Sequence, residues 1–335
     1  MLLAGDVGGT KTILALYDGR PEGRPAVLRE ETYPSAGYDS LEEIVRDFLS
    51  GRGESLDAAC FGVAGPVIDG RCQTTNLPWL IDEKHLMTLL GIPKVKLLND
   101  LQAMALGLLW LGPDEWIELN PRAMPATGNR AVIAAGTGLG QAILYWDGHF
   151  YHALATEGGH EDFAPNNALE DGLLIYLRNK FGGHVSYERI LSGPGIVNIY
   201  EYLRDAEHAP ESPELAASIS KADDPAREIS THALHAGNAL CRGTLSLFAR
   251  IFGAEAGNLA LKCFATGGVL VGGGIAPKIL PALQDGSFLE GFRAKGRLSE
   301  FLGTIPVRVA LNPCTGLMGA ADYAARMLPE RSQGT

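Results

Sequence analysis

The chain lacks the features that mark membrane, secreted and nucleic-acid-binding proteins. No apolar run in its 335 residues reaches the ~18 residues that are needed to span a bilayer. The five cysteines include no C-x-x-C pair, which indicates free thiols in a reducing compartment. Lys and Arg number 28 against 39 Asp and Glu, and the net charge of -11 repels phosphate backbones. We therefore expect a cytoplasmic protein with neither a membrane nor nucleic acid as a partner.

The composition is that of a globular protein with one large domain or two ordinary ones. Hydrophobic residues make up 46% of the chain and charged residues 20%. The amino terminus runs directly into an apolar strand with no basic segment before it, so we expect no signal peptide. Because the protein is acidic, binding an anionic ligand requires a local device such as backbone N–H groups, a lysine or a metal ion.

Two segments of the chain share one pattern. Residues 3–19 and 132–148 each read as an apolar strand, a Gly/Thr turn, a second apolar strand and Asp-Gly. At one constant offset Gly9 corresponds to Gly138, and Asp18-Gly19 to Asp147-Gly148. Each segment is a predicted β-hairpin. The repeat favours a duplicated α/β fold whose two lobes each offer a glycine turn to a shared cleft, the alternative being a chance likeness of two hairpins.

Other segments fit an α/β protein. Ser40 and Glu43 form a predicted capping box at the start of a helix. The apolar periodicity of 225–252 predicts one long helix, and 264–271 reads as a buried strand. Residues 112–129, with three prolines and little periodicity, are interpreted as the passage between lobes.

The first candidate site is the turn Asp6-Val7-Gly8-Gly9-Thr10. Glycines let the backbone approach an anion, and successive N–H groups form a nest for phosphate oxygens. The hydroxyls of Thr10 and Thr12 would add donors, and Asp6 is placed to hold Mg²⁺ through water. The spacing is neither that of a Walker A loop nor that of G-x-G-x-x-G. The alternative is a plain hairpin turn.

Two further glycine segments are candidates for nucleotide contacts. Gly136-Thr137-Gly138 is the repeat partner of the first turn, and two such turns suit the β- and γ-phosphates of ATP. Gly272-Gly273-Gly274 follows a buried strand, and its small residues would let an adenine lie against the backbone. Taken alone, the first is a common hairpin turn and the second is a strand-to-helix turn.

Polar residues after predicted strands are candidates for binding an alcohol. Asp100 stands where a strand passes into a helix, so it is either an N-cap or a base that accepts a hydroxyl proton. Glu157 and His160, joined by two glycines, suit a polyol that needs acceptors and donors in fixed places. A zinc site is the alternative for this pair, but no suitably spaced cysteine or second histidine follows.

Five short motifs follow one another along residues 2–328. They are Asp6-Val7-Gly8-Gly9-Thr10, Leu98-Asn99-Asp100, Gly136-Thr137-Gly138-Leu139-Gly140, Glu157-Gly158-Gly159-His160 with Asp162-Phe163-Ala164-Pro165, and Leu191-Ser192-Gly193-Pro194-Gly195. In order and spacing this set resembles the bacterial glucokinase family, in the superfamily of sugar kinases, heat-shock proteins and actin.

The resemblance implies an α/β protein with a two-lobed actin-like ATPase (ribonuclease H-like) fold. Duplicated βββαβα lobes would surround a cleft that binds ATP, Mg²⁺ and glucose and that closes on the sugar. Residues 1–110 with 315–328 would form the small lobe, and 111–314 the large one. The family also implies a homodimer.

The resemblance assigns roles residue by residue. Asp100 would be the general base toward the glucose 6-hydroxyl. The sugar would be bound by Asn99, Asp100, Glu157, His160 and Glu188. The nucleotide would be bound by Gly5, Asp6, Val7, Gly8, Gly9, Thr10, Gly136, Thr137, Gly138 and Gly273.

Three alternative functions remain at this point. The chain could phosphorylate another hexose or an N-acetylhexosamine, it could be a catalytically inactive sugar sensor, or it could be a polymerising ATPase. The intact Asp100 and both glycine turns argue against the sensor, and the pair Glu157 and His160 argues against the polymer. Related repressors carry clustered zinc cysteines, but this sequence has no cysteine between Cys72 and Cys241.

Overall fold

The computed structural model describes residues 1–19, 26–51, 53, 55–74 and 77–328. These residues form two compact units. The described residues of 1–113, 151–155 and 312–328 form the first unit, and 114–150 with 156–311 form the second. The short strand 151–155 therefore groups with the first unit although its neighbours in the sequence belong to the second.

The strands are short, as is usual for α/β proteins. Those of the first unit are β1 Leu2–Val7, β2 Lys11–Tyr17, β3 Val27–Pro34, β4 Ala58–Val63, β5 Arg71–Gln73, β6 Leu80–Asp82, β7 Val95–Asn99 and, later in the chain, β11 Tyr151–Ala155. Those of the second unit are β8 Trp116–Glu118, β9 Arg130–Ala135, β10 Leu139–Trp146, β12 Gly268–Gly272 and β13 Val307–Ala310.

The helices lie between the strands in sequence. The first unit contains α1 Leu41–Leu49, α2 Glu83–Leu90, α3 Asp100–Leu108 and α12 Thr315–Arg326. The second contains α4 Ala168–Phe181, α5 Gly193–Asp205, α6 Pro213–Lys221, α7 Pro225–Leu234, α8 Ala239–Lys262, α9 Leu280–Gln284, α10 Ser287–Arg293 and α11 Ser299–Leu302. Across the described ranges, no helix has both the length and the apolar character that crossing a membrane requires.

The two units share one strand arrangement. In the first unit the strands hydrogen-bond in the order β3-β2-β1-β4-β7, and those of the second unit follow the order β10-β9-β12-β13-β8. The part β2-β1-β4-β7 of the first order corresponds to β10-β9-β12-β13 of the second. Each sheet contains an antiparallel hairpin, β1–β2 or β9–β10. Two strands from later in the chain then extend the sheet beyond β1 or β9 in parallel, β4 and β7 in the first unit and β12 and β13 in the second. Both hairpins predicted from the repeat are thereby confirmed, and the shared strand order supports duplication rather than chance.

Each unit has its own apolar core. In the first unit, Ile44 and Phe48 of α1 pack with Phe61 of β4 on one face of the sheet. Because side chains alternate along a strand, the next residue, Gly62, faces the other side and receives Ala103 of α3. In the second unit, α8 runs through the core with Phe248 and Phe252, and the latter ring meets Phe288 edge-on at 5.6 Å.

Local sequence signals explain several element ends. Ser40 caps α1 by accepting the Glu43 N–H, as predicted. In return the Glu43 carboxylate accepts the N–H of Asp39, one residue before the Ser40 N–H of a standard capping box. Asn167 caps α4, which ends at Gly182 in the left-handed conformation at φ 72°.

Two predicted boundaries are wrong. The stretch 225–252 is two helices, because Gly237 at φ 65° turns the chain and Asn238 then caps α8. The strand predicted over 264–271 begins at Gly268, since Phe264 adopts a left-handed φ of 50° that no strand contains. The segment 112–129 also contains β8, which pairs with β13.

Helices α3 and α12 approach each other closely because both lack a side chain at the contact. An added Cβ on Gly107 would lie 1.8 Å from the carbonyl oxygen of Thr315, and one on Gly319 would lie 1.7 Å from that of Ala103. Alanine at either position would force the two backbones apart. The contact matters for the site because α3 begins at Asp100.

We expect Gly107→Ala to lower the free energy of unfolding by about 1–3 kcal/mol, through overpacking against backbone. The measurement is urea unfolding. The control is Gly243→Ala within α8, where the nearest atom to an added Cβ is Leu203 Cδ1 at 3.6 Å. This control should stabilise by up to about 1 kcal/mol, since glycine is unfavourable inside a helix. Equal effects of the two substitutions would contradict the packing argument.

Candidate active site

The first glycine turn, Gly8–Thr10, joins β1 to β2 in the first unit. The Gly8 N–H donates to the carbonyl of Lys11 at 3.0 Å, which closes the turn. Thr10 and Lys11 are exposed, and Gly8 and Gly9 are partly exposed. Four consecutive backbone positions are thus accessible to a ligand, as a phosphate-binding turn requires.

Ser35 holds this turn from the protein side. Its hydroxyl donates to the carbonyl of Gly8 at 2.8 Å, and its N–H donates to the carbonyl of Thr10 at 3.1 Å. Thr12 Oγ1 lies 3.0 Å from Ser35 Oγ and is the donor there, because the Ser35 proton is already given to Gly8. Thr12 is fully buried, so its hydroxyl cannot donate to a ligand, contrary to the sequence-based expectation. Ser35 is not among the residues predicted from the sequence, since nothing in its local pattern marks it.

Asp6 lies near the end of β1 and faces the first turn of α12. An added Cβ on Gly316 would lie 3.2 Å from Asp6 Oδ2, so glycine there leaves room for the carboxylate. Burial raises the pKa of Asp6, and the positive charge of Lys11 opposes this shift. A carboxylate in such a place gains from a further positive charge.

The environment of Asp6 fits a cation that brings most of its own ligands. Within the ranges that the structure describes, no group of three or more His, Cys, Asp or Glu side chains is arranged to hold a metal ion. Mg²⁺ typically keeps several waters and takes one or two carboxylates together with substrate phosphates. Asp6 alone beside the glycine turn meets that requirement.

Asn99 and Asp100 stand where β7 passes into α3. Asn99, not Asp100, is the N-cap: its Oδ1 accepts the N–H groups of Leu101 at 3.0 Å and Gln102 at 3.4 Å, and its Nδ2 donates to the carbonyl of Gly65 at 3.2 Å. Asp100 is the first helical residue, half-buried, and one of its oxygens accepts the Leu101 N–H at 2.8 Å. The N-cap alternative for Asp100 is thereby removed.

Strand register brings the candidates of the first unit to one sheet edge. Val7 of β1 pairs with Val63 of β4, which pairs with Asn99 of β7. These three strands are parallel, so the glycine turn after Val7 and the residue after Asn99 emerge at the same carboxyl edge. Ligands of open α/β sheets bind at this edge.

Gly5 and Val7 lie within β1, in the interior, and not in the accessible turn that follows the strand. Gly5 is paired with Leu14 and Phe61 on its two sides, and an added Cβ would lie 2.4 Å from the Phe61 ring. Val7 is buried in the core. Both residues therefore anchor the strand that leads into the turn, and neither is open to a ligand.

The second glycine turn, Gly136–Gly138, lies against the start of α5 in the second unit. The Gly193 N–H donates to the carbonyl of Gly136 at 2.9 Å, and Ser192 caps the helix by accepting the Gly195 N–H at 3.1 Å. Thr137 is exposed at the tip of the turn. A glycine turn beside a helix N-terminus is a favourable place for an anion.

A cavity of 1180 Å³ opens beside this turn. Apolar side chains of α5, α7 and the segment after β12 contribute to its wall together with polar ones, among them Ile196, Val197, Asn198, Arg227, Ser230, Leu234, Ile275 and Lys278. Gly274 belongs to the lining, whereas Gly273, at φ 83°, packs against the Ala135 backbone behind it. This volume is ample for a nucleoside.

Glu157 precedes a short 3₁₀ turn, Gly158–His160, in the second unit, and His160 ends that turn. Glu157 and His160 are both exposed, and the His160 N–H donates to the Glu157 carbonyl at 3.0 Å. Both glycines lie against β10. An added Cβ at Gly159 would lie 1.9 Å from the carbonyl oxygen of Leu139, which requires glycine there, and one at Gly158 would lie 2.4 Å from Gln141 Oε1.

Glu188 connects this region to the second glycine turn. Its Oε2 accepts the Leu139 N–H at 3.0 Å, and it would lie 2.4 Å from a Cβ on Gly138. The neighbouring Tyr187 N–H donates to the carbonyl of Glu161 at 3.0 Å, so Glu188 and the turn that carries His160 are adjacent. The structure thus brings together Glu157, His160 and Glu188 in one unit, and Asp6, Asn99 and Asp100 in the other.

Comparisons with known proteins find relatives over nearly the whole chain. Residues 3–327 match the family model described as Glucokinase. The glucokinase of Nostoc punctiforme is 42% identical over 98% of this chain and 99% of its own length, and that of Synechocystis is 43% identical over 97% and 98%. A solved glucokinase from an Antarctic psychrotroph is 30% identical, with a TM-score of 0.81 over 97% of this chain and 98% of its own. The predicted α/β class and actin-like ATPase fold are confirmed.

Replacing Ser35 by alanine should loosen the first glycine turn. The change leaves the Gly8 carbonyl and the buried Thr12 hydroxyl without their partner, which should cost about 2–4 kcal/mol of unfolding free energy. Chemical denaturation measures the loss. Ser50→Ala, which removes an exposed hydroxyl bonded to the Asp47 carbonyl, is the control and should change stability by less than about 0.5 kcal/mol. A Ser35→Ala chain as stable as this control would contradict the role of Ser35 in holding the turn.

Proposed function

The chain belongs to the glucokinase family, and on that premise we propose that it transfers the γ-phosphate of ATP to the 6-hydroxyl of glucose. The observation that carries the proposal is the position of Asp100, which begins α3 at the same sheet edge as the turn Gly8–Thr10. A carboxylate beside a phosphate-binding turn suits phosphoryl transfer to an alcohol.

Asp100 acts in this proposal as the base toward the sugar hydroxyl. As the first residue of α3, it lies at the N-terminus of the helix, where acidic side chains are common. One carboxylate oxygen accepts the Leu101 N–H, so the orientation of the group is set by the helix. Phosphoryl transfer has a loose transition state, and orienting the hydroxyl matters more than a raised pKa.

The sugar is held by side chains that still have hydrogen-bonding capacity. Asn99 uses its oxygen and one N–H within the protein, and its second N–H is assigned to a sugar hydroxyl. Glu157 and His160, which both reach the surface, provide an acceptor and a ring nitrogen, and Glu188 provides its second carboxylate oxygen. A polyol needs this mixture of donors and acceptors.

ATP is the proposed donor. The backbone of Gly8–Thr10, the turn Gly136–Gly138 and the N-terminus of α5 are assigned to its phosphates. The cavity beside the second turn has the volume and the apolar wall that a nucleoside requires, whereas a polyphosphate donor would leave it unfilled. Gly5, Val7 and Gly273 contribute by supporting the backbone that binds the nucleotide.

Mg²⁺ is proposed at Asp6, through water. Burial raises the pKa of this carboxyl, so a cation beside it would stabilise the ionised form. When bound, the ion supplies positive charge that offsets the charge of the phosphates. Asp6 contributes the fixed negative charge that places it.

Two further proposals concern the whole protein. A cytoplasmic location is supported by five free cysteines, four of them buried, which are typical of a reducing compartment. The homodimer implied by the family stays a prediction, and its test is the mass in solution by analytical ultracentrifugation.

The experiment for the proposed function is a coupled assay of ADP release with ATP and a panel of sugars. Glucose should give the highest kcat/KM, and removing Mg²⁺ should abolish turnover. A higher kcat/KM with another hexose or an N-acetylhexosamine would reassign the acceptor. Glucose binding without ADP release would indicate a sensor and would contradict the proposal.

We expect Asp100→Asn to lower kcat by about 10²–10⁴-fold, since the amide cannot accept the hydroxyl proton. Calorimetry should give a glucose Kd within about threefold of the wild-type value, because the amide oxygen still accepts the Leu101 N–H. Asp171→Asn is the matched control, an exposed carboxylate in the first turn of α4 that should leave kcat unchanged. A near-normal kcat in Asp100→Asn would remove this residue from the role of base.

A further inference from the structure

A buried carboxylate lies beneath the turns that carry the proposed sugar ligands. Glu255 of α8 is 0% exposed, and both of its oxygens accept hydrogen bonds from amides. Gln141 Nε2 donates to Oε1 at 2.7 Å, and Asn258 Nδ2 donates to Oε2 at 2.9 Å. None of these three residues belongs to the ligands assigned so far.

One branch of this network reaches the segment that carries Glu157. Gln141 of β10 is 1% exposed, and its Oε1 occupies the space that a Cβ on Gly158 would need. The Gln141 carbonyl accepts the Thr156 hydroxyl at 3.0 Å, and Thr156 Oγ1 accepts the Gly158 N–H at 3.3 Å. Gln141 therefore contacts the chain on both sides of Glu157, through its backbone carbonyl at Thr156 and through its side-chain oxygen beside Gly158.

The other branch reaches Glu188. Asn258 Nδ2 also donates to the Tyr187 hydroxyl at 3.1 Å, and Tyr187 directly precedes Glu188. The Tyr187 ring is held edge-on against Phe163 at 5.6 Å. Both turns are thus connected to the same carboxylate, one through each of its oxygens.

We propose that Glu255 is a positioning residue for sugar recognition, which sets the relative placement of Glu157, His160 and Glu188 through Gln141 and Asn258. The inference rests on the proposed function. Its chemical reason is donor–acceptor matching: two amide NH₂ groups converge on position 255, and a carboxylate offers acceptors in both directions. An amide at this position would direct its own NH₂ group at one of the two donors.

Glu255→Gln is the first test. One amide donor must move away from the new NH₂ group, and the turn attached to it moves as well. We expect the glucose KM and the calorimetric glucose Kd to rise by about tenfold or more, as for an unsatisfied buried polar group. The KM for ATP should rise less than the KM for glucose, because Glu255, Gln141, Asn258 and Tyr187 do not line the cavity beside the second glycine turn and only Glu188 contacts that turn.

The double substitution Glu255→Gln with Gln141→Glu is the rescue, because it exchanges the two side chains. The new amide at position 255 then donates to the new carboxylate at position 141 and still accepts from Asn258. The second oxygen of that carboxylate takes the place beside Gly158. All donors again face acceptors and one buried carboxyl group is kept, so glucose Kd should return to within about threefold of the wild-type value. A folded double variant that binds glucose as weakly as Glu255→Gln overturns the proposal.

The matched control is Glu170→Gln in α4, another carboxylate that is 1% exposed and accepts from an asparagine amide, here Asn167 Nδ2 at 2.7 Å. It should lower stability while glucose Kd stays within about twofold of the wild-type value. An equal loss of glucose affinity in Glu170→Gln would mean that Glu255 acts through general stability, and would overturn the inference.

Tyr187→Phe decides the outcome if Glu255→Gln does not fold. It removes one hydroxyl from the Glu188 branch and keeps the ring against Phe163, and it should weaken glucose binding by about threefold. Unchanged binding in that variant overturns the inference. Absence of glucose binding in the wild-type chain would instead overturn the proposed function, so the two failures are distinguishable.

Discussion

Close approach at glycine is the constraint on which the candidate site depends. Glu188 reaches the second glycine turn because Gly138 has no side chain, since an added Cβ would lie 2.4 Å from its Oε2. Gly62 lets the helix that begins at Asp100 pack closely on β4, because a Cβ on Gly62 would lie 2.9 Å from the Cβ of Ala103. Glu188 thus rests against the backbone of the second turn, and the helix that begins at Asp100 packs closely against β4.

This arrangement reconciles an acidic protein with an anionic substrate. The net charge of -11 opposes phosphate binding at long range, so the attraction must be local. In the proposed function, backbone N–H groups of the two turns and the N-terminus of α5 would supply it without adding side chains. Asp6 is an exception, because its carboxylate has the same negative sign as the phosphates. Burial raises its pKa, which the charge of Lys11 opposes, and a cation is proposed there to offset its charge.

The sequence predicted the parts of the site that are local in the chain. Both hairpins carry their own signal in the glycines of their turns. The passage from β7 to α3 was also predicted, but with Asp100 as the candidate N-cap, whereas the structure has Asn99 in that role. Ser35 and Glu255 carry no such signal, because each acts on residues far away in sequence that only folding brings near. The same reason explains the error at Thr12, whose hydroxyl is bonded to Ser35 in the interior.

The most direct test of the glycine constraint is the glucose Kd of Gly138→Ala, measured by calorimetry. The added Cβ meets the flexible end of Glu188 and not backbone, so the fold should remain intact while the carboxylate is displaced. We expect about tenfold weaker glucose binding with a thermal midpoint close to that of the control Gly183→Ala, whose added Cβ meets nothing within 4 Å. Glucose binding equal to that of the control, in a folded Gly138→Ala chain, would contradict the account.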